Sequence, residues 1–161
     1  MSCNKENNEA DYKAKSGDQG FPFHHHYPIQ IRFNDIDPLG HVNNAVYFPL
    51  FDLGKAKYFE TVTDGKVDWK HVNIVIANVN CNFLAPIFFN EPIEVQTQVT
   101  EIGNSSFRVF QRLVNTEDGE VKCTCATIMV GFDVKKQCKA PLNQEWVTAL
   151  NEFEQRNLRR E

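Results

Sequence analysis

Six residues with chemical potential lie close together near the start of the chain. They are two carboxylates, a glycine, a histidine and two asparagines: Asp35, Asp37, Gly40, His41, Asn43 and Asn44. A helix is predicted to begin here, and the first N–H groups of a helix lack intrahelical partners and carry partial positive charge. Such donors polarise a carbonyl and stabilise an oxyanion, while a nearby carboxylate attacks the carbonyl or activates a water. Asp37 lies on the loop that leads to those donors.

The residue types also allow two other interpretations. Asp37-Pro38 is a common start for a turn, and the asparagines could serve only to cap the helix. Asp35, Asp37 and His41 are possible metal ligands, but their spacing matches no metal-binding motif. We expect neither a metal ion nor a cofactor, and we expect Asp35 to orient the loop or to pair with Arg32.

The elements that position this segment are predicted from the spacing of apolar residues. Ile29, Ile31 and Phe33 alternate with polar residues, which is typical of a half-buried strand running to residue 34. Helical spacing follows Gly40, and the apolar face comprises Tyr47, Leu50, Phe51, Gly54 and Tyr58. The helix is predicted to end between residues 61 and 64, and Pro49 near its start is compatible with an early turn.

The second half of the chain is strand-like. Alternating residues predict strands over residues 75–83, 93–100, 107–113 and 120–133, and Asp118-Gly119 is a hairpin signal. A C-terminal helix is predicted over residues 143–160, with Trp146, Leu150 and Phe153 on one face. One antiparallel sheet and one long helix give an α+β fold. A sheet wrapped around a single helix is the hotdog arrangement.

Composition limits the function classes. The 161 residues carry a formal net charge of -4, which does not favour a nucleic-acid partner. No apolar run approaches the ~20 residues that a membrane span requires, so no membrane association is expected. The five cysteines suggest no disulfide framework, and we interpret them as reduced residues of a cytoplasmic protein. Residues 1–22 are predicted to be a disordered polar tail, and residues 23–161 a single domain.

The segment from Asp35 to Tyr47 resembles the signature of the 4-hydroxybenzoyl-CoA thioesterase family. Its His41-Val42-Asn43-Asn44 portion is also similar to plant acyl-ACP thioesterases. A weaker likeness in strand order extends from Tyr27 to Asp133. The resemblance implies a hotdog fold that forms homodimers or homotetramers, an acyl-CoA substrate, and an active site at the subunit interface.

The resemblance also implies roles for individual residues. Asp37 would be the catalytic carboxylate, acting as nucleophile or as general base. The backbone N–H of Asn44 would polarise the thioester carbonyl, and Gly40 would shape the approach of the substrate. The plant-like version additionally implicates His41 and Asn43.

Substrate-binding residues are expected along the acyl-CoA path. Tyr47 belongs to the signature, and Asp52 falls where relatives often carry an acidic residue in the helix. Ser105 and Ser106 begin a strand that in relatives lines the pantetheine path, and Arg108 is a candidate cation for the phosphates. Each of the last three is also compatible with an ordinary exposed strand position.

Two alternative functions stay open. One is a non-catalytic hotdog module that binds an acyl ligand, and the other is an acyl-ACP thioesterase. The chain contains no Gly-x-Ser-x-Gly nucleophile motif and no phosphate-binding glycine-rich loop. A carboxylate at the expected carbonyl position favours the enzyme over the binding module.

Overall fold

The computed structural model describes Tyr12 and residues 16–68 and 73–160. In chain order the elements are β1 (His25–Ile29), a short 3-10 helix (Phe33–Asp35), α1 (Asn44–Val62), β2 (Ile74–Phe83), β3 (Ile93–Ile102), β4 (Ser106–Asn115), β5 (Val121–Asp133), β6 (Cys138–Lys139) and α2 (Gln144–Glu154). The α+β class predicted from the sequence is confirmed. No helix among these elements is long and apolar enough to cross a membrane.

The strands form one antiparallel sheet in the order β1-β3-β4-β5-β2, with β6 paired to the end of β5. The predicted hairpins are therefore present between β3 and β4 and between β4 and β5. Strand β2 does not pair with β3, the next strand along the chain. It pairs with β5 instead and forms an edge of the sheet, with Cys81 opposite Cys125.

Helix α1 packs across the sheet because its apolar face matches the inward-facing strand residues. Gly54 is the point of closest approach, since a Cβ atom there would lie 2.7 Å from Val95 Cγ2 and 2.8 Å from Gln111 Nε2. Gln111 donates hydrogen bonds to the Phe51 carbonyl oxygen and to Thr97 Oγ1. These contacts fix the height of the helix over the sheet.

The first strand is shorter than its alternating pattern predicts. Strand β1 ends at Ile29, which pairs with Ile93, the first residue of β3. Beyond that pair β3 has no further residue with which β1 could continue its hydrogen-bonded ladder. The chain instead turns at the 3-10 helix, and Phe33 becomes 78% exposed rather than buried.

The predicted disordered tail falls partly outside the described residues, namely at positions 1–11 and 13–15. The part that is described contacts the outer face of the sheet. Thr124 Oγ1 donates to the Ser16 carbonyl oxygen at 3.2 Å, and Arg112 donates to Asp18 at 3.4 Å. The Arg156 guanidinium lies 3.7 Å from the centre of the Phe21 ring.

The C-terminal helix was predicted to reach residue 160, but it ends at Glu154. The following residues run along the edge of β3, where the Ile102 N–H donates to the Leu158 carbonyl oxygen at 2.7 Å. Glu154 is itself buried and accepts from the Tyr58 hydroxyl at 2.6 Å and from the Val99 N–H at 2.9 Å. The helix stops early because unpaired backbone groups of β3 provide better partners for the chain.

Candidate active site

A tight turn holds the residues between the 3-10 helix and α1. The Asp37 N–H donates to the His41 carbonyl oxygen at 3.1 Å, and the Gly40 N–H donates to the Asp37 carbonyl oxygen at 2.9 Å. Gly40 has a φ of 87°, a left-handed value that glycine adopts without a Cβ clash. The turn therefore explains why a glycine stands at this position.

The Asp37 carboxylate is oriented by two hydrogen bonds at the mouth of the turn. Its Oδ1 accepts from the Leu39 N–H at 2.9 Å, and its Oδ2 accepts from Asn43 Nδ2 at a longer 3.4 Å. The side chain is partly buried, and no lysine or arginine among the described residues forms an ion pair with it. An oriented carboxylate without a cationic partner keeps lone pairs available to accept a proton or to attack a carbonyl.

Asn43 is the N-cap of α1. Its Oδ1 accepts from the Ala45 N–H at 2.9 Å, and its carbonyl oxygen accepts from the Val46 N–H at 2.9 Å. The Asn44 N–H, which lies between them in the first turn, forms no hydrogen bond with any described residue. Asn44 is exposed, so the helix N-terminus presents one free donor next to Asn43, the cap residue that contacts Asp37.

Asp35 holds the turn in place through hydrogen bonds on its buried side. It is 2% exposed and accepts from the Arg32 N–H at 2.8 Å and from the Arg32 guanidinium at 3.0 Å. Burial alone would raise the pKa of this carboxyl, but the hydrogen bonds and charge of Arg32 hold the pKa below its usual value. The Asp35 carbonyl oxygen accepts from the Asn43 N–H at 2.9 Å, which ties the anchor to the N-cap. Both roles expected for Asp35 are present.

The other two predicted residues of this segment take different positions. His41 is half-buried, and its Nδ1 lies 3.3 Å from the Val42 carbonyl oxygen. Tyr47 is 2% exposed and packs edge-on against Phe83 of β2. Burial raises the pKa of Tyr47 to about 12, so its hydroxyl stays protonated at neutral pH. Tyr47 therefore forms part of the core beneath the site and not an exposed wall.

Asp52 lies farther along α1 and is exposed. It forms an ion pair with Lys55 at 2.8 Å, and Lys55 is only 6% exposed. Lys55 was not among the residues predicted from the sequence, although its place one helical turn after Asp52 is the spacing of an ion pair. Hydrogen bonds between thiols and burial raise the pKa values of Cys81 and Cys125, which lie nearby on β2 and β5, and the charge of Lys55 opposes this rise.

The remaining predicted residues do not join the Asp37 site within one protomer. Ser105 lies in the β3–β4 turn and Ser106 begins β4, and Phe107 beside them packs against Phe59 in the C-terminal half of α1. The 19 residues of α1 span about 28 Å, so this end of the sheet is far from Asn44. Arg108 lies opposite Glu101 in the β3–β4 strand register, at the same far end.

No three His, Cys, Asp or Glu side chains in residues 16–68 and 73–160 cluster as metal ligands. The three inward-facing thiols are the nearest approach to a reactive cluster: Cys81, Cys123 and Cys125. The pKa of Cys81 is raised to about 11, first by its hydrogen bond to Cys123 and then by burial. The pKa of Cys125 is also raised, first by its hydrogen bond to Cys81 and then by burial. Cys81 and Cys125 are therefore thiols at neutral pH, which is unfavourable for a nucleophile.

Comparison with known proteins identifies the family of the chain. The profile of the thioesterase-like superfamily matches residues 31–150. The chain is 28% identical over 102 residues to the uncharacterized protein YsmA of Bacillus subtilis, covering 63% of this chain and 68% of YsmA. It is 22% identical over 121 residues to the acyl-CoA thioester hydrolase YbgC of Escherichia coli, covering 74% and 84% of the two chains.

Solved structures share the fold. A thioesterase from Thermus thermophilus, complexed with coenzyme A and Zn, superposes with a TM-score of 0.73 and 28% identity, covering 86% of this chain and 98% of that one. A 1,4-dihydroxy-2-naphthoyl-CoA thioesterase from Synechocystis gives a TM-score of 0.71 at 18% identity, covering 78% and 93%. The expected hotdog arrangement is thereby confirmed. The chain belongs to the thioesterase-like superfamily, and it is a thioester hydrolase.

Proposed function

We propose that this protein hydrolyses acyl-CoA thioesters at the N-terminus of α1. The observation that carries the proposal is the pairing of a free donor with an oriented carboxylate. The Asn44 N–H has no hydrogen-bond partner among the described residues, and Asp37 is held beside the same helix end by Asn43. Together they supply the polarisation and the base or nucleophile that thioester hydrolysis requires.

The reaction follows from these two groups. The thioester carbonyl oxygen accepts a hydrogen bond from the Asn44 N–H, which stabilises the negative charge as the carbonyl carbon becomes tetrahedral. Asp37 either takes a proton from a water that attacks this carbon or attacks it directly, and water then hydrolyses the resulting anhydride. In both routes the C–S bond breaks, and the products are a carboxylic acid and the CoA thiol. Loss of one such N–H donor costs roughly 10²–10³ in rate.

The turn residues support this arrangement. The left-handed conformation of Gly40 lets the chain reverse directly after Asp37, and its exposed backbone leaves the approach to the carboxylate unobstructed. Asn43 acts as a positioning residue, because it caps the helix and bonds to Asp37 at once. His41 borders the turn, and within the described part of the chain its ring hydrogen-bonds to the Val42 carbonyl oxygen alone, so we assign it an ordering role.

We further propose that the active form is a dimer paired through β2. The strand has a neighbour, β5, along one edge only, and its other edge lacks a partner within the described chain. Apolar side chains are exposed along it: Val75, Ile76, Val79 and Phe83. An unprotected apolar edge strand is a template for pairing with another strand, and a second copy of β2 would satisfy it.

Two observations distinguish this proposal from its alternatives. Cleavage of the thioester distinguishes it from a binding module, and a preference for the CoA carrier distinguishes it from an acyl-ACP thioesterase. The wild-type protein should hydrolyse the thioester of one class of acyl-CoA and release the CoA thiol. If acyl-ACP thioesters are cleaved while the matched acyl-CoA thioesters are not, the carrier assignment is wrong. Saturable binding of acyl-CoA without any cleavage would favour the non-catalytic binding module. Thioester absorbance is the suitable readout, because free cysteines add background to a thiol reagent.

A cytoplasmic location stays a prediction that depends on the cysteines. Cys81 and Cys125 lie directly opposite each other on β2 and β5 as free thiols. A reducing compartment would keep such a facing pair reduced.

A further inference from the structure

A cavity of about 630 Å³ lies at the C-terminal end of α1, far from Asp37. It is half-open to solvent and is lined by the end of α1 and the residues that follow it, the start of β2, the end of β5, and helix α2 with the residues that precede it. The volume falls within the range of small-molecule sites. Most of its lining is apolar and includes Phe59, Ile74, Met129, Leu142, Trp146 and Ala149.

The walls are preformed by aromatic packing. The Trp146 ring lies 5.3 Å from the Phe59 ring and 4.9 Å from the Phe107 ring, measured between centroids. Helix α2, which supplies Trp146, is capped by Asn143 through the Glu145 N–H at 2.8 Å. Charged residues of both signs, Lys66 and Glu145 among them, line the rim. This distribution suits an uncharged hydrocarbon chain better than a charged head group.

Strand β2 links this cavity to the active site of a second copy. The strand begins at Ile74, a wall of the cavity, and ends at Phe83, which packs on Tyr47 in the first turn of α1. When two identical strands pair in antiparallel fashion about a two-fold axis, the start of each strand lies beside the end of the other. Pairing of two β2 strands along their full length would therefore bring the cavity of each protomer towards the first turn of α1 in the other.

We propose that the cavity receives the hydrocarbon chain of the acyl group whose thioester is cleaved at the α1 N-terminus of the partner protomer. This inference rests on the proposed function and on pairing through β2. It names the substrate class as flexible aliphatic acyl chains that are long enough to enter an apolar cavity. The cavity would then act as the site that selects chain length.

A chain-length series of saturated acyl-CoA substrates tests the selection. Burial of each methylene is expected to raise kcat/KM by about fourfold until the cavity is filled. Ala149→Phe places a ring inside the cavity, so kcat/KM for long chains should fall at least tenfold while that for acetyl-CoA is unchanged. Thr148→Phe is the matched control, because Thr148 precedes it on the same helix and is exposed. Its profile should follow the wild type.

Two outcomes would overturn the inference while leaving the proposed function in place. One is a chain-length profile for Ala149→Phe parallel to that of the wild type. The other is an equal loss at every chain length, which indicates general destabilisation without selection. Failure of the wild type to cleave any acyl-CoA would instead contradict the proposed function. A measurement independent of catalysis would then test whether the cavity binds a hydrocarbon chain.

That measurement is quenching of Trp146 fluorescence by a fatty acid brominated along its chain. The chain has two tryptophans, so a Trp69→Phe background leaves Trp146 as the single emitter. Saturable quenching that is lost in Ala149→Phe and kept in Thr148→Phe supports the cavity as the chain site. Absence of quenching, or equal quenching in Ala149→Phe, would overturn it.

Discussion

Asn43 connects the start of α1 to Asp37 through a single amide side chain. Its Oδ1 accepts from the Ala45 N–H at 2.9 Å, while its Nδ2 lies 3.4 Å from Asp37 Oδ2. An amide can do both because it carries an acceptor and two donors on adjacent atoms. A serine or an aspartate would cap the helix equally well but would offer Asp37 no N–H group.

Because Asn43 has these two roles, different substitutions of Asn43 should affect helix capping and catalysis to different extents. Asn43→Ala should lower the free energy of unfolding by about 1 kcal/mol, whereas Asn43→Ser should nearly retain it. Both should lower kcat by roughly 10–100-fold with little change in KM, because Asp37 loses its orientation but substrate contacts stay. Urea unfolding and steady-state kinetics on the same samples check this. An Asn43→Ser enzyme with wild-type kcat would show that Asn43 serves as a cap only.

The close approach of α1 to the sheet at Gly54 predicts overpacking on substitution. Gly54→Ala should destabilise the protein by about 1–3 kcal/mol, because the new methyl group would meet the Val95 side chain at 2.7 Å. Val95→Ala removes the methyl groups that it would meet. The double variant should therefore be more stable than the sum of the two single effects. Strict additivity in thermal or urea unfolding would contradict the packing described for this contact.

The Asp35 anchor predicts a pH-dependent contribution to stability. Its folded pKa is lowered, so the contribution is present above the unfolded pKa of about 4 and is lost as pH falls through the folded value. Asp35→Asn should therefore destabilise the protein by about 1–2 kcal/mol at pH 7, since the Arg32 guanidinium is exposed and screened. The difference from wild type should shrink below about pH 4. Asp118→Asn, in an exposed turn, is the control, and a gap that widens with acidification would refute the assignment.

The exposed edge of β2 predicts a charge-sensitive dimer. Val79→Lys should shift the protein towards monomer in analytical ultracentrifugation, because two like charges would face each other across the paired strands. Val134→Lys is the matched control, since Val134 is also exposed but lies on the β5–β6 turn. A wild-type protein that is monomeric at micromolar concentration, or equal effects of both variants, would contradict pairing through β2.

The sequence predicts this fold best where periodicity is long and local. The apolar face of α1 and the hairpins from β3 to β5 follow from spacing and turn residues, and both are observed. The partner of β2 could not be predicted, because an edge strand that crosses to β5 leaves no local signal in its own residues. The end of α2 was misjudged for a similar reason: Glu154 bonds to Tyr58, which lies 96 residues earlier in the chain.

The candidate site shows the same difference between local features, which could be predicted, and long-range features, which could not. The segment from Asp37 to Asn44 is contiguous, so its turn and its cap could be inferred from residue types. Ser105 and Ser106 were expected, by resemblance, to line the pantetheine path, and the strand register puts them near the C-terminal end of α1 of their own protomer. Only a second protomer could bring distant parts of the chain together there, and one sequence carries no direct record of such pairing.

The most direct test of the proposed catalytic role of Asp37 is the hydrolysis of acyl-CoA thioesters by wild type, Asp37→Asn and Asp118→Asn. Asparagine preserves the size and the Leu39 contact of Asp37 but can neither take a proton from water nor attack a carbonyl. We predict a loss of at least ~10²-fold in kcat for Asp37→Asn, with an unchanged melting temperature and full activity in Asp118→Asn. An Asp37→Asn enzyme that cleaves acyl-CoA as fast as wild type would contradict this role.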